Sequence, residues 1–501
     1  MKGIMIQGTS SDAGKSYIVT AICRILANKG YKVAPFKSQN MSNNSYVTVD
    51  GLEIGRAQGV QAEAAKQEAH VHMNPILLKP KMDTMSEVVL HGKVFQSYTG
   101  MNYGKEFTLT HGMKAVHESL NYIEDNYDLI VIEGAGSPAE VNLNDREIVN
   151  MRIAEAADVD VILVTNIDLG GSFASLVGTL ELVFEHRHRI KGVIFNKFRG
   201  DIRLLEDGLK WFEEYTGVKV LGVIPFMKDI YIETEDAQSK HLLYQYETKN
   251  PLDIAVIHME RVSNNTDVEP FIHEKDCSIR IVKEAKELGN PHAIIIPGTK
   301  STIADMEILK DKGLDQKIIQ FAKNGGHVIG LCGGFQALGE SVTDMMGVDH
   351  NTLTKSQGLG LLPIKTNFAQ DKHVEQVSGE LRNDYFEARK CEINESIKDI
   401  TGYEIHLGET QYLEGANPII KLSDNRLDGC INEEGNVVGT YLHHIFHNDG
   451  FRNDWLNKVR RHNNMETFEI VNTSRIKEES YEELAKRVED CFDMDLLMSL
   501  L

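Results

Sequence analysis

The 501-residue chain is poor in tryptophan (two), proline (eleven) and cysteine (six). No apolar run approaches the ~18 residues of a bilayer-spanning helix, so a membrane protein is not expected. The cysteines stand at positions 23, 277, 332, 391, 430 and 491, with no CxxC pair. That scatter excludes a disulfide framework and favours reduced thiols. Positive charge is also short: 53 Lys+Arg stand against 74 Asp+Glu, a formal net charge of −21. Such a surface repels phosphate backbones and anionic headgroups, so neither nucleic acid nor a membrane surface is an expected partner. The opening run Met1-Lys2-Gly3-Ile4-Met5-Ile6 leads into a glycine-rich loop, not a signal-peptide cleavage site. A cytoplasmic location is therefore expected. Internal repeats, coiled coils and low-complexity segments are missing as well.

What is present is ordinary globular material, 42% hydrophobic and 25% charged, in a length that suits two to four domains. Short β-branched runs alternate with helix-like segments, the pattern of a parallel α/β sheet. Strands are expected near Lys2–Gln7, Lys32–Phe36, Leu129–Glu133, Val159–Asn166, Gly192–Asn196 and Val218–Ile224. Helices are expected over Gly14–Lys29, Ile54–Gln67, Glu147–Ala157 and Ser172–His186. Leu129-Ile130-Val131-Ile132 is apolar on successive residues, as a strand covered on both faces must be. A polar stretch from Thr234 to Asn250 then ends at Pro251, and a second α/β series begins with Leu252–His258. It continues through Ala293–Ile296, a helix at Leu314–Lys323 and His327–Leu331. The expected division is 1–230, 251–447, and a charged helical tail at 448–501 of no assigned role.

Two motifs carry chemistry. Gly8-Thr9-Ser10-Ser11-Asp12-Ala13-Gly14-Lys15-Ser16 lies between the first strand and the first helix. Backbone N–H groups there, with the positive end of the helix, cradle phosphate. Lys15 reaches terminal phosphates and the Ser16 hydroxyl suits Mg²⁺. Five residues separate Gly8 from Gly14, one more than in the standard P-loop, and this longer form resembles the dethiobiotin synthetase group. Glu133, at the carboxyl end of its strand, is a second candidate for Mg²⁺. Asn196-Lys197 ends another strand and is either a nucleotide-base contact or a plain turn. In the second half, Gly330-Leu331-Cys332-Gly333-Gly334-Phe335-Gln336 places a thiol among glycines at a strand-to-helix turn, the elbow geometry of a nucleophile.

Gly439-Thr440-Tyr441-Leu442-His443-His444 is similar to the motif of class I glutamine amidotransferases and singles out His443 as the base for Cys332. Attack on the glutamine side-chain amide gives a thioester and ammonia. Gly333 and Gly298 are the expected oxyanion donors. One departure stands out: Ile445 occupies the position where this class carries Glu. Either the imidazole is oriented differently or glutaminase activity is weak; Glu404 is offered as a substitute orienter.

Further segments resemble one family, that of cobyric acid synthase and cobyrinic acid a,c-diamide synthase. They are Pro35-Phe36-Lys37-Ser38-Gln39-Asn40-Met41, Glu53-Ile54-Gly55-Arg56-Ala57-Gln58, Asn74-Pro75-Ile76-Leu77-Leu78-Lys79-Pro80, Glu133-Gly134-Ala135-Gly136-Ser137-Pro138 and Asn196-Lys197-Phe198-Arg199-Gly200-Asp201. The likeness runs to at least His447, with departures at Glu147 (usually Asp) and Leu169 (usually Arg). It implies a P-loop NTPase-like parallel-sheet domain joined to a flavodoxin-like class I amidotransferase domain. It also implies ATP with Mg²⁺, glutamine as nitrogen donor and a corrinoid acceptor amidated at its b, d, e and g carboxylates. Lys37 and Lys79 are offered as acceptor contacts or ordinary lysines, and Glu53 as a further Mg²⁺ or acceptor contact. The alternatives are amidation at a and c, or an ATP-binding regulatory protein without catalysis. Oligomeric state is not read from the sequence.

Overall fold

The computed structural model describes residues 1–82, 85–233, 250–349, 354–389 and 397–501. The polar stretch 234–249, read above as an interdomain boundary, falls outside the described residues. The chain forms two compact units: Met1–Glu235 together with Ser474–Leu501, and Asp236–Thr473. The tail at 448–501 is thus divided. Helix Asp449–His462 belongs to the second unit, and Ser474–Leu501 is part of the first.

The first unit is built on six parallel strands in the order Lys219–Pro225, Ile190–Phe198, Asp160–Asn166, Gly3–Gly8, Leu129–Glu133 and Val33–Phe36. Side chains alternate across a strand, so a run apolar at every position feeds two cores. Ile4, Ile6, Leu129 and Val131 join Ile18, Ile22 and Leu26 on one face. Met5, Ile130 and Ile132 join Phe36, Val116 and Leu120 on the other. The six strands expected from sequence are all present, Leu129–Glu133 with the expected ends and the others shifted by one or two residues. Beside them lies an antiparallel hairpin series, Ile76–Met82, Met85–Leu90 and Lys93–Thr99, which the sequence reading did not anticipate. Its first strand is buried at Ile76, Leu77 and Leu78, whereas residues 93–96 of the third are exposed, so no single periodicity marks the series.

The second unit has strands in the order Cys277–Val282, Leu252–Ile257, Ala293–Ile296, His327–Leu331, Val437–Thr440 and Cys430–Ile431, all parallel but the last. Again Ile254, Ile295 and Ile329 face one core while Ile257, Ile294 and Val328 face another. A long hairpin, Ile364–Leu381 against Asp399–Tyr412, was also not foreseen. Most of its first strand is partly or fully exposed.

Candidate active sites

Strand Gly3–Gly8 ends in the glycine-rich loop, and helix Lys15–Asn28 begins where that loop closes. Gly14 has φ 95°, and a Cβ there would meet Asn196 Nδ2 at 2.1 Å, so both its backbone and its neighbour require glycine. Lys15 curls back, donating to the carbonyls of Ser10 (3.2 Å) and Gly136 (3.1 Å). The Thr9 N–H is given to Val164 (2.9 Å), which ties the loop to the sheet. Asp12 adopts φ 58° and its carbonyl accepts from Lys197 Nζ (2.9 Å). Asn196 is buried, and its amide donates to the carbonyl of Ala13 (2.9 Å). It therefore supports the loop from behind.

Glu133 is the centre of this site. It is 1% exposed. The Ser16 hydroxyl donates to its Oε1 at 2.8 Å, Lys37 Nζ approaches the same oxygen at 3.0 Å, and Gln61 donates to Oε2. Burial works to raise its pKa, but the Lys37 ammonium and the bonds from Gln61 and Ser16 outweigh burial and hold it below the usual carboxylate range. An ionised carboxylate and a hydroxyl converge beside the loop, a hard oxygen pair suited to Mg²⁺. Their 2.8 Å separation fits adjacent ligands of an octahedron whose bonds are about 2.0–2.1 Å.

Lys79, offered above as an acceptor contact or an ordinary lysine, and Glu53, offered as a Mg²⁺ or acceptor contact, lie against each other. Lys79 pairs directly with Glu53 and donates to Ser45 Oγ (2.7 Å); both charged groups are buried. They form an internal ion pair in the hairpin region. Glu147 accepts from the backbone N–H groups of Val149, Asn150 and Arg152, holding the start of helix Met151–Ala157. Leu169 is 80% exposed.

In the second unit, Cys332 follows strand His327–Leu331 at φ 49°, ψ −108°, and helix Gly333–Leu338 starts on the next residue. A non-glycine residue held there is strained, and such strain persists only where the surroundings fix it. Here Cys332 N–H donates to Thr440 (2.8 Å), tying the elbow to the neighbouring strand. The thiol lies within reach of the Ile405 carbonyl (3.6 Å). Gly298 stands against the site: a Cβ on it would lie 3.1 Å from His443 Cε1 and 3.5 Å from Cys332 Cβ. A Cβ on Gly333 would lie 3.0 Å from the Thr299 nitrogen. The two expected oxyanion loops are thus together.

His443 is fully buried beside Cys332, both standing against Gly298. Its Nδ1 faces Asp267 Oδ2 at 2.7 Å, and the same carboxylate accepts the His444 N–H (2.8 Å). Asn264 Nδ2 stands 3.3 Å from His443 Nε2. Tyr403 stacks on the imidazole (centroids 5.3 Å apart) and exchanges backbone hydrogen bonds with it. Burial acts to lower the imidazole pKa, but Asp267 and Cys332 push it up to about 10.

Asp267 was not found from sequence, and the offered orienter Glu404 is corrected. Glu404 meets His373 (3.0 Å) and Arg426 (2.7 Å). Ile445 is explained too. His444 takes φ 65° and starts the short turn Ile445–His447, which sends Ile445 into the core with Phe446, Phe451 and Trp455. A carboxylate there would be buried in hydrocarbon. The signal for Asp267 was faint: Ser263-Asn264-Asn265-Thr266-Asp267 is a polar run after strand Leu252–Ile257, near the sheet's carboxyl edge, where open α/β sheets bind ligands.

A P-loop nucleotide-binding unit and a cysteine–histidine–carboxylate amidotransferase unit on one polypeptide define the class. Residues 4–239 match the family model for the CobQ/CobB/MinD/ParA nucleotide binding domain, and residues 253–451 that for the CobB/CobQ-like glutamine amidotransferase domain. The chain is 48% identical over 500 residues to cobyric acid synthase of Anoxybacillus flavithermus, covering 98% of this chain and 95% of that protein. It is 42% identical to cobyric acid synthase of Clostridium tetani, covering 99% and 98%. The chain belongs to the cobyric acid synthase family. No helix among the described residues is long and apolar enough to cross a membrane.

Proposed function

We propose that this protein makes cobyric acid by ATP- and glutamine-dependent amidation of the b, d, e and g carboxylates of adenosylcobyrinic acid a,c-diamide. The observation that carries the reading is the coexistence of the Ser16–Glu133 pair beside the phosphate loop and the Asp267–His443–Cys332 array at the elbow. A carboxylate has no leaving group for ammonia to displace. Phosphorylation supplies one, and that is the work of the first unit.

There, Gly8, Gly14 and the helix N-terminus receive phosphate, and Lys15 turns from its carbonyl partners toward the terminal phosphates. Asn196 holds the loop in shape. Ser16 and Glu133 hold Mg²⁺, which when bound neutralises phosphate charge. Lys37, already on Glu133, lies where it can balance an acyl phosphate or a carboxylate.

In the second unit, Asp267 fixes the proton on His443 Nδ1 and leaves Nε2 toward the thiol. The Cys332 thiol proton passes to His443 Nε2, the sulfur attacks the glutamine amide carbon while Gly333 and Gly298 receive the oxyanion, and the resulting imidazolium protonates the leaving nitrogen as the C–N bond breaks to release ammonia. Water then cleaves the thioester and releases glutamate. Mass spectrometry of the corrinoid after incubation with ATP, Mg²⁺ and glutamine tests the whole reading. A product with four new amides is expected; an unchanged a,c-diamide sinks it.

A further inference from the structure

Helix Thr473–Glu489 lies across two elements that carry the nucleotide site. Arg24, on the phosphate-loop helix Lys15–Asn28, is 0% exposed and forms a two-pronged pair with Glu478 (2.6 and 2.8 Å) and a bond to Glu482 (3.0 Å). Leu484, Ala485 and Val488 join Ile18, Ile22 and Leu26 of that helix in one core cluster. Tyr481 packs on Val60 and Ala64 of helix Arg56–Ala64, and its hydroxyl donates to Glu63 (3.2 Å). Lys477 Nζ joins Glu63 to Glu233 (3.1 Å), and Arg56 closes the ring on Glu233. Beyond it, the Asp493 N–H donates to Leu221 of the edge strand (2.8 Å).

The second of these elements matters chemically. Helix Arg56–Ala64 presents Gln61 to Glu133, and its two ends, Arg56 and Glu63, are the residues pinned by the Glu233–Lys477 pair. Removing the ammonium leaves the Glu63 and Glu233 carboxylates without the cation they share, Glu233 on Arg56 and Glu63 on the Tyr481 hydroxyl. Like charges in a partly buried cluster repel and shift the weaker-held element. Here one of the two carboxylates, Glu63, is on the helix that aims Gln61.

We propose that Lys477 is a positioning residue for the ATP reaction, acting through Glu63, helix Arg56–Ala64 and Gln61 on the Glu133 carboxylate. The residues after Thr473 thereby complete the nucleotide unit in space, though the amidotransferase sequence separates them from it. This inference rests on Ser16 and Glu133 being the Mg²⁺–nucleotide site.

The test uses the full chain with ammonium as nitrogen source, ADP formation as readout and Mg²⁺ as the titrated variable. Lys477→Met is expected to raise the half-saturating Mg²⁺ concentration about tenfold, a typical size for coupling between sites, with kcat at saturation within about twofold. Lys477→Arg is expected to restore most of the affinity. Labelling of Cys332 by an electrophilic glutamine analogue is expected to be unchanged in both. A Lys477→Met enzyme that melts lower but shows wild-type Mg²⁺ dependence makes Lys477 a strut only and overturns the proposal, as does wild-type behaviour throughout. A wild-type chain that forms no ADP instead overturns the underlying site reading.

Discussion

Cys332, His443 and Asp267 lie together in one buried array, and on the function proposed above their substitutions divide by role. Cys332→Ala is expected to abolish glutamine-driven amidation while ammonium-driven amidation persists, measured as corrinoid product under each nitrogen source. Continued glutamine use by that variant would move the nucleophile elsewhere. Asp267→Asn keeps the shape but no longer favours the productive proton arrangement on the imidazole. A loss of about 10²- to 10⁴-fold in glutaminase turnover is expected, the range of a positioned acid–base group, with ATP cleavage supported by ammonium intact. The same variant carries a pH signature. The folded pKa of His443 is raised above its ordinary 6.5 to about 10. The imidazolium pair therefore contributes its full stability below about pH 6.5 and loses it as pH rises through about 10. Melting temperature measured from pH 6 to pH 10 is expected to fall less in Asp267→Asn than in wild type.

At the scale of elements, buried charge clamps hold helix Asp449–His462 to its sheet. Arg452 and Arg460 are both 0% exposed, pairing with Glu274 at 2.9 and 3.3 Å and with Asp449 and Asp276. Removing Arg460 takes the cation from the buried Asp276 carboxylate, while Glu274 keeps Arg452. Arg460→Ala is expected to cost about 3–5 kcal/mol in denaturant unfolding; a cost near that of a surface ion pair would contradict the clamp. Ile445→Glu, the change that restores the residue usual in this class, is expected to destabilise and to gain no glutaminase activity. Its side chain enters the Phe446–Trp455 core instead of facing His443. The long hairpin Ile364–Leu381/Asp399–Tyr412 belongs to the same scale. It brings Tyr403 against His443 and the Ile405 carbonyl against Cys332. No strand was expected there from sequence, because half-exposed strands lack the continuous apolar run that marks buried ones.

Both half-reactions sit on one molecule, and free ammonia is protonated and diluted in water. Direct use of nascent ammonia is therefore expected. Equal amounts of a Lys15→Ala chain, lacking phosphoryl transfer, and a Cys332→Ala chain, lacking ammonia release, are mixed and given glutamine. The mixture is expected to amidate far more slowly than wild type, and added ammonium to restore the rate through the Cys332→Ala chain. Wild-type speed from the mixture with glutamine alone would show that ammonia travels through solution.

Legible in the sequence were the six strands of the first sheet and the inner strands of the second, the phosphate loop with Lys15 and Ser16, the strand-end Glu133, and the elbow at Cys332 with His443 as its neighbour. Each rests on local order: apolar residues on consecutive strand positions, glycines at fixed spacing, a nucleophile between a strand and a helix. Folding alone set Asp267 against His443, Glu404 against Arg426 and His373, and Lys79 against Glu53. It alone joined Ser474–Leu501 to the first unit. These are pairings between side chains far apart along the chain. A charged residue carries no mark of its partner until folding removes water from around it and makes an unpaired charge too costly to keep.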